Sequence, residues 1–252
     1  MVNQEKSKGE RIAKVIARAG LCSRREAERW IEQGRVEING VLLDSPACIV
    51  TNEDKVVVDG KPLPGKEKTR LFLYHKPAGL VTTNKDEQGR ETIFEKLPSE
   101  LPRLITIGRL DINTEGLLLL TNDGELARYL ELPSTDWVRT YRARVYGRTT
   151  QNKLDKLKHG IKHNGIKYDS INATLEIQQG DNAWVEVSLK EGKNREVRNV
   201  MEALDLKVNR LIRVSYGIFH LGKLPKSAVL EVKTSRLKNE LADFFNSKKA
   251  NK

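Results

Sequence analysis

The stretch GRLDINTEGLLLLTNDGEL, residues 108–126, places one carboxylate, Asp111, in a polar loop before four consecutive leucines. The leucine run predicts a buried strand. A carboxylate fixed at the edge of a core and open to a ligand could act as a nucleophile or as a general base. A structural loop aspartate, bonded to neighbouring backbone amides, explains the local sequence more simply. Asp123, after the strand, is predicted to be a turn or helix-capping residue.

Several common catalytic and metal sites have no counterpart in the sequence. It contains no GxxxxGKS or GxxxxGKT loop, no GxGxxG, no HExxH and no GxSxG. Cys22 and Cys48 lack the spacing of a metal or redox pair. His159 and His163 could share a helix face, but no acidic or thiol ligands lie nearby, so we interpret them as surface residues. We therefore predict no metal site, which leaves carboxylate chemistry or binding alone.

The charge of the chain favours a polyanionic partner. Lysine and arginine number 45 against 34 aspartate and glutamate, which gives a formal net charge of +11. There is no apolar run long enough to span a membrane, and the start MVNQEKSKGER lacks the apolar core of a signal peptide. We therefore predict a cytoplasmic protein that does not contact membranes.

Turn and linker residues divide the chain into a small unit at 9–65, a larger unit at 70–240 and a tail at 241–252. The small unit begins with two amphipathic helices, RIAKVIARA and SRREAERWIEQG. In the second helix, Ser23 and Glu26 have the spacing of a capping box. A tight hairpin is predicted around Asn39-Gly40. The segment GKPLPGKEK is predicted to link the two units.

The larger unit is predicted to be rich in strands, with helices near 124–132, 150–159 and 194–204. Helices and strands do not alternate regularly along it. An α+β fold with a mostly antiparallel sheet therefore fits better than a doubly wound one. The terminal NSKKANK is predicted to be frayed.

Two resemblances join these observations. The order LCSRREAERWIEQGRVEINGVLL resembles the small RNA-binding domain named after ribosomal protein S4. YHKPAGLVTT, GRLDINTEGLLLLTNDGEL and EGKNREVRNV occur in that order, and they resemble the motifs of the bacterial pseudouridine synthases of the RsuA and RluB group. Within the group, the RluB branch, which acts on large-subunit ribosomal RNA, is the most similar. The resemblance implies a catalytic domain with a central cleft.

The resemblance also implies a reaction. Such enzymes break the N1 to C1′ bond of a uridine, turn the base and rejoin it through C5. No atom is gained or lost, so no cofactor or metal is expected. The resemblance assigns the essential carboxylate to Asp111, as nucleophile or as base. In VRTYRARVYG, alternation puts Tyr141 on the same strand face as Ala143 and Val145, which by itself predicts a half-buried core tyrosine. The resemblance places Tyr141 against the target base, where a flat ring suits a base taken out of its stack.

An arginine is expected beside Asp111, because a carboxylate in a water-poor cleft is ionised and oriented by a guanidinium. Arg198 is the candidate. The apolar stripe of the predicted helix 194–204 consists of Val197, Val200, Met201 and Leu204. At 100° per residue Arg198 lies on the edge of this stripe, while Arg195 points away. Arg198 is therefore predicted to reach Asp111, and Arg195 to contact RNA.

The remaining basic residues are predicted RNA contacts, although each could equally be a solvated charge. In the larger unit they are Arg109, Lys76, Arg90, Lys193, Arg195, Arg210 and Arg213. In the small unit they are Arg18, Arg24, Arg25 and Arg29. Arg109 is expected on the RNA side of the cleft.

The leading hypothesis is a monomeric pseudouridine synthase acting on 23S ribosomal RNA or its precursor particle, with no protein partner implied. The same chemistry at another large-subunit site or on 16S RNA is an alternative. A second hypothesis is a non-catalytic RNA-binding or ribosome-assembly protein. A third is a metal-dependent nuclease, which would need the carboxylates of Asp111, Glu115 and Asp123 to converge.

Overall fold

The computed structural model describes residues 9–65 and 67–250 of the chain. The small unit contains two helices and six short strands. The helices are α1 (Ile12–Arg18) and α2 (Arg24–Glu32). The strands are β1 (Glu10–Arg11), β2 (Val36–Ile38), β3 (Val41–Leu42), β4 (Ile49–Val50), β5 (Val56–Val58) and β6 (Lys61–Pro62). Apolar side chains of both helices and of β2, β4 and β5 form one core beneath them.

One half of the predicted capping box and the predicted hairpin turn are confirmed. The side chain of Ser23 accepts a hydrogen bond from the amide of Glu26 at 3.1 Å and so caps α2, while the carboxylate of Glu26 accepts from Arg29. Asn39 and Gly40 form the turn between β2 and β3, with φ of 53° and 82°. Positive φ at both central residues gives the turn the twist that a two-residue hairpin requires.

A nine-stranded sheet organises the larger unit. Its strands are β7 (Leu71–Lys76), β8 (Ile105–Ile107), β9 (Thr114–Thr121), β10 (Arg139–Tyr146), β13 (Asn172–Gln179), β14 (Asn182–Leu189), β15 (Lys207–Tyr216), β16 (Phe219–His220) and β17 (Val229–Glu231). The main order is β13-β14-β10-β15-β9-β7-β17. The pairing of β9 with β15 is parallel and the other pairings are antiparallel. The predicted α+β fold with a mostly antiparallel sheet is confirmed.

Helices cover this sheet, and a separate hairpin joins β11 (Ile161–His163) to β12 (Ile166–Tyr168). The helices are α3 (Ile93–Lys96), α4 (Gly124–Glu131), α5 (Gln151–Asp155), α6 (Glu196–Glu202), α7 (Thr234–Glu240) and α8 (Ala242–Ala250). Among the described residues, none of the helices has the length and apolar character needed to cross a bilayer.

The prediction of a frayed tail was wrong for most of its length. Residues 242–250 form α8, and Phe244 is buried in the core beside Tyr129, with ring centroids 5.3 Å apart. Lys248 pairs with Asp123 at 2.5 Å. Because the segment is mostly polar, its sequence gives no indication of the contacts that Phe244 and Lys248 make. Residues 251–252 lie outside the described residues.

The parallel pairing of β9 with β15 depends on Gly116. Its φ is +106°, and a Cβ there would lie 2.3 Å from the carbonyl oxygen of Arg213. Only glycine allows the two backbones to approach this closely. Gly116 therefore fixes the start of β9, and with it the loop that carries Asp111, against the middle of the sheet.

Candidate active site

A cavity of about 980 Å³ opens between the Asp111 loop, β10 and the segment that leads into α6. Seven of the residues predicted to be functional line it: Arg90, Arg109, Asp111, Tyr141, Lys193, Arg195 and Arg213. They come from positions far apart in sequence. The pairing of β9 and β10 with opposite edges of β15 brings the Asp111 loop and Tyr141 to the same cavity.

Asp111 lies at the mouth of this cavity, with about a third of its side chain exposed. Its backbone carbonyl accepts from the amide of Thr114 and closes a turn ahead of β9. Among the described residues, no backbone amide donates to its carboxylate. The carboxylate oxygen Oδ2 lies 3.6 Å from Nη1 of Arg195. This side chain is thus held by an ion pair and left open to the cavity, and the alternative of an amide-bonded loop aspartate does not describe it.

The predicted contact between Arg198 and Asp111 was wrong. Arg198 instead donates from Nη1 to the carbonyl of Val208 and from Nη2 to the carbonyl of Asn113, at 3.0 and 3.1 Å. The latter bond braces the Asp111 loop from behind. Burial, together with the nearby charge of Arg195, lowers the pKa of Arg198 from its usual value.

The prediction that Arg195 points away was wrong for a related reason. The helix begins at Glu196, not at residue 194, and Arg195 precedes it with φ of 50° in the left-handed region. A position on a helical wheel therefore has no meaning for Arg195. Its side chain leaves the helix and reaches Asp111.

Lys76, predicted to contact RNA, is completely buried beneath the Asp111 loop. Its ammonium donates to the carbonyl oxygens of Pro77, Asp111, Ile112 and Thr114 at 3.0 to 3.3 Å. The side chain points inward from the last residue of β7, so it cannot reach an RNA. Lys76 therefore holds the Asp111 loop in place, and its burial lowers its pKa to about 8.

Tyr141 lines the cavity and is partly buried. It packs against both core clusters that flank the cleft, beside Ala143 and Val145. The predicted face of β10 is therefore confirmed. The ring is held by packing, which is what a platform for a flat base requires.

Arg213 does not meet the prediction of a surface RNA contact, because it is 2 % exposed. Its Nε donates to the carbonyl of Leu117 at 2.7 Å, and its guanidinium lies over the ring of Tyr216. Arg139 stacks on the same ring and donates to the Tyr216 hydroxyl at 2.8 Å. The sequence-based prediction missed Arg139 and Tyr216, although both lie on strands that carry predicted residues. Both line the cavity.

Glu196, another residue that the sequence did not single out, lines the cavity while only 4 % exposed. Its Oε2 accepts from the amide of Lys193 at 2.8 Å, and its Oε1 is buried with no partner among the described residues. Burial raises its pKa to about 7. The signal that could have found it is its place directly before the apolar stripe of α6.

The other predicted RNA contacts lie on the surface and differ in their partners. Arg18, Arg29, Arg90, Lys193 and Arg210 pair with carboxylates. Arg24, Arg25 and Arg109 are exposed and form no ion pair within the described ranges. These three are therefore the most available of the set to a phosphate.

The carboxylates of the nuclease hypothesis do not converge. Glu115 is buried and pairs with Arg210 and Lys226, each at 2.7 Å, and these bonds lower its pKa to about 2. Asp123 caps α4 by accepting from the amide of Glu125 at 2.9 Å, which confirms the capping prediction. Over residues 9–65 and 67–250, no cluster of three potential metal ligands occurs.

Comparison with known proteins gives two family matches. The model of the RNA pseudouridylate synthase family matches residues 70–203, and that of the S4 domain matches residues 10–57. An uncharacterized RNA pseudouridine synthase of Rickettsia typhi is 44% identical over 242 residues, which are 94% of this chain and 99% of that protein. The ribosomal large subunit pseudouridine synthase B of Yersinia pestis is 40% identical over 245 residues, covering 94% and 77%.

A solved structure agrees. The crystal structure of a pseudouridylate synthase superposes with a TM-score of 0.63 and 28% identity, over 90% of this chain and 98% of that one. The match extends across both units, so nearly the whole chain resembles that structure.

Proposed function

The chain belongs to the RNA pseudouridylate synthase family, and we propose that it isomerises uridine to pseudouridine in the ribosomal RNA of the large subunit. Support for the substrate comes from the relatives named ribosomal large subunit pseudouridine synthase B. An S4 domain and a net charge of +11 suit a folded RNA. Such a substrate implies action in the cytoplasm, and we expect the enzyme to act as a monomer.

The main support for the proposal is the environment of the Asp111 carboxylate. It is a partly exposed carboxylate at the mouth of a large, positively lined cavity, held by Arg195 at 3.6 Å. Lys76 fixes its loop from below and Arg198 from behind. A rigid carboxylate that is still open to a ligand meets the need of a reaction at the ribose of a flipped nucleotide.

We assign the following steps to the residues of the cavity. Asp111 acts on the ribose or base as the N1 to C1′ bond breaks, as nucleophile or as base. The ring of Tyr141 supports the base while it turns. After the C5 to C1′ bond forms, its phenolic oxygen accepts the C5 proton while its own O–H proton passes to N1, so the base loses one proton and gains one. The substrate and product have the same atoms, so these steps need no external reductant or oxidant.

Pseudouridine mapping tests the proposal. Unmodified ribosomal RNA and its precursor particles would be incubated with the protein, and new pseudouridines located by chemical mapping. We expect one or a few sites in the large-subunit RNA. Asp111→Asn should abolish the product while RNA binding survives. Asp181→Asn, an exposed carboxylate paired with Arg148, is the matched control and should stay active.

The outcomes separate the hypotheses. No pseudouridine with the unmodified protein would favour a non-catalytic RNA-binding protein. Product from Asp111→Asn would refute the assigned role of Asp111. Product only in small-subunit RNA would correct the substrate and keep the chemistry.

A further inference from the structure

A second cavity, about 570 Å³, adjoins the first. Its walls come from the end of β10, from α6 and from the segment that enters β15. The residues that line it are Tyr146, Gly147, Arg195, Arg198, Glu202, Asp205, Leu206, Lys207 and Val208. It is large enough to receive a nucleotide, and none of the steps assigned above uses it.

Arg195 lines both cavities and separates them. About half of its side chain is exposed, and it faces Asp111 on one side. Its backbone has φ of 50°, a conformation that costs a non-glycine residue about 1 kcal/mol or more and that persists where the surroundings enforce it. Whatever fills the second cavity is therefore adjacent to the carboxylate that acts on the target nucleotide.

The charge of the second cavity suits a phosphodiester. Arg195, Arg198 and Lys207 line it, and Lys207 is exposed and forms no ion pair within the described part of the chain. Glu202 and Asp205 also line the cavity, and each has a basic side chain nearby. Glu202 lies 3.7 Å from His163, and Asp205 lies 3.8 Å from Lys153.

An aromatic ring completes the cavity. Tyr146 is 53% exposed at the end of β10, directly opposite Lys207 on β15. An exposed tyrosine beside a lysine that forms no ion pair among the described residues is an arrangement that can hold an unpaired base and its phosphate. Stacking of an unpaired base on an aromatic ring strengthens the binding of single-stranded RNA with little dependence on sequence.

We propose that the second cavity is a flanking subsite, which binds the nucleotide adjoining the target uridine. Tyr146 stacks on its base, and Arg195 and Lys207 hold its phosphate. The inference rests on the proposed function, because it takes an RNA with a flipped uridine as substrate. Flipping unstacks the neighbours of the target, and the flanking subsite restores the stacking that one of them loses.

A double-mutant cycle between protein and RNA tests the proposal. The substrate is a synthetic RNA that carries the mapped uridine, compared with two versions in which the nucleotide on the 5′ or the 3′ side is abasic. We expect Tyr146→Ala to raise KM about tenfold on the intact RNA, with a smaller change in kcat. On the RNA that lacks the stacked base, the same substitution should have almost no further effect, because that contact is already lost.

Three further variants sharpen the result. Tyr146→Phe keeps the ring and should recover most of the affinity lost in Tyr146→Ala. Lys207→Ala should raise KM and flatten its dependence on salt, because one phosphate contact is lost. Lys162→Ala, an exposed lysine on β11 outside both cavities, should behave as the unmodified protein.

Coupling of Tyr146→Ala to one abasic position supports the flanking subsite. Equal effects of Tyr146→Ala on all three RNAs would overturn it, while activity of the unmodified protein would leave the proposed function intact. Inactivity of the unmodified protein on every RNA would overturn the proposed function and this inference with it.

Discussion

The ammonium nitrogen of Lys76 lies 3.2 Å from the backbone carbonyl oxygen of Asp111. The lysine has no exposed surface and donates to three further carbonyls around it. A buried charge without a carboxylate partner is costly, and bonds to several carbonyls offset part of that cost. The loop that carries Asp111 is therefore built around a cation that no substrate touches.

We expect Lys76→Met to lower kcat at least about tenfold with little change in KM, since the loop loses its anchor while the RNA contacts remain. Burial lowers the pKa of Lys76 from 10.5 to about 8. The unfolded chain therefore binds this proton more tightly, and the stability of the native protein relative to Lys76→Met should rise as the pH increases from about 8 to 10.5. Chemical unfolding of both proteins across this range measures the difference, and a constant difference would contradict the burial of a charged lysine.

Substitution of the two arginines near Asp111 should have different effects: Arg195→Ala should mainly lower activity, and Arg198→Ala should mainly lower stability. Arg195→Ala removes the ion pair with the carboxylate and should reduce kcat/KM by about tenfold or more with little loss of stability, since half of the side chain is exposed. Arg198→Ala leaves the carbonyls of Val208 and Asn113 without their donor and should cost about 2 kcal/mol of stability. Paired kinetic and urea-unfolding measurements distinguish them. The reverse pattern would restore Arg198 as the partner of Asp111.

The sequence predicts which residues belong to the site more reliably than it predicts the contacts that each side chain makes. Alternation along β10 placed Tyr141 correctly, because every second residue of a strand faces one side. The helical wheel failed at Arg195, because the helix starts at Glu196 and the residue before it adopts a left-handed conformation. The prediction that Lys76 contacts RNA failed for a different reason. A lysine at a strand end is normally solvated, and only the folded loop brings four carbonyls around it.

The stability of the protein should show a second dependence on pH, which comes from Glu196 and is opposite in sign to that of Lys76. Burial raises its pKa from 4.5 to about 7, so the native state binds the proton more tightly than the unfolded chain. Its contribution to stability is full below about pH 4.5 and is lost as the pH rises through 7. Glu196→Gln keeps the acceptor for the Lys193 amide and should therefore be more stable than the unmodified protein, by about 3 kcal/mol, above pH 7. The advantage should vanish near pH 4.5 in thermal unfolding, and an advantage that persists there would show that the carboxyl is not protonated by burial.

Gly116→Ala should prevent normal folding or cost more than about 3 kcal/mol. The added Cβ would lie 2.3 Å from the Arg213 carbonyl, and alanine disfavours φ of +106°. Gly165→Ala is the matched control: its φ is +80°, but nothing lies within 4 Å of the added atom, so only the backbone cost of about 1 kcal/mol applies. Urea unfolding compares the two. Equal losses would mean that β9 and β15 can separate to admit a side chain.

Lys14 of α1 should couple the small unit to the catalytic unit. Its ammonium lies 2.8 Å from Glu125 of α4, and Lys248 of α8 lies 3.0 Å from the same carboxylate. With Lys14 and Glu125 each about a third exposed, we expect a coupling of about 0.5 to 1 kcal/mol in a double-mutant cycle of Lys14→Ala and Glu125→Ala. Because α1 is part of the S4 domain, we expect the pair to fix the position of an RNA bound there relative to Asp111. Lys14→Ala should therefore raise KM for a long ribosomal RNA fragment more than KM for a short RNA that reaches only the cleft. Equal increases for the two RNAs would show that Lys14 binds RNA directly, and no increase for either would show that the pair does not orient the substrate.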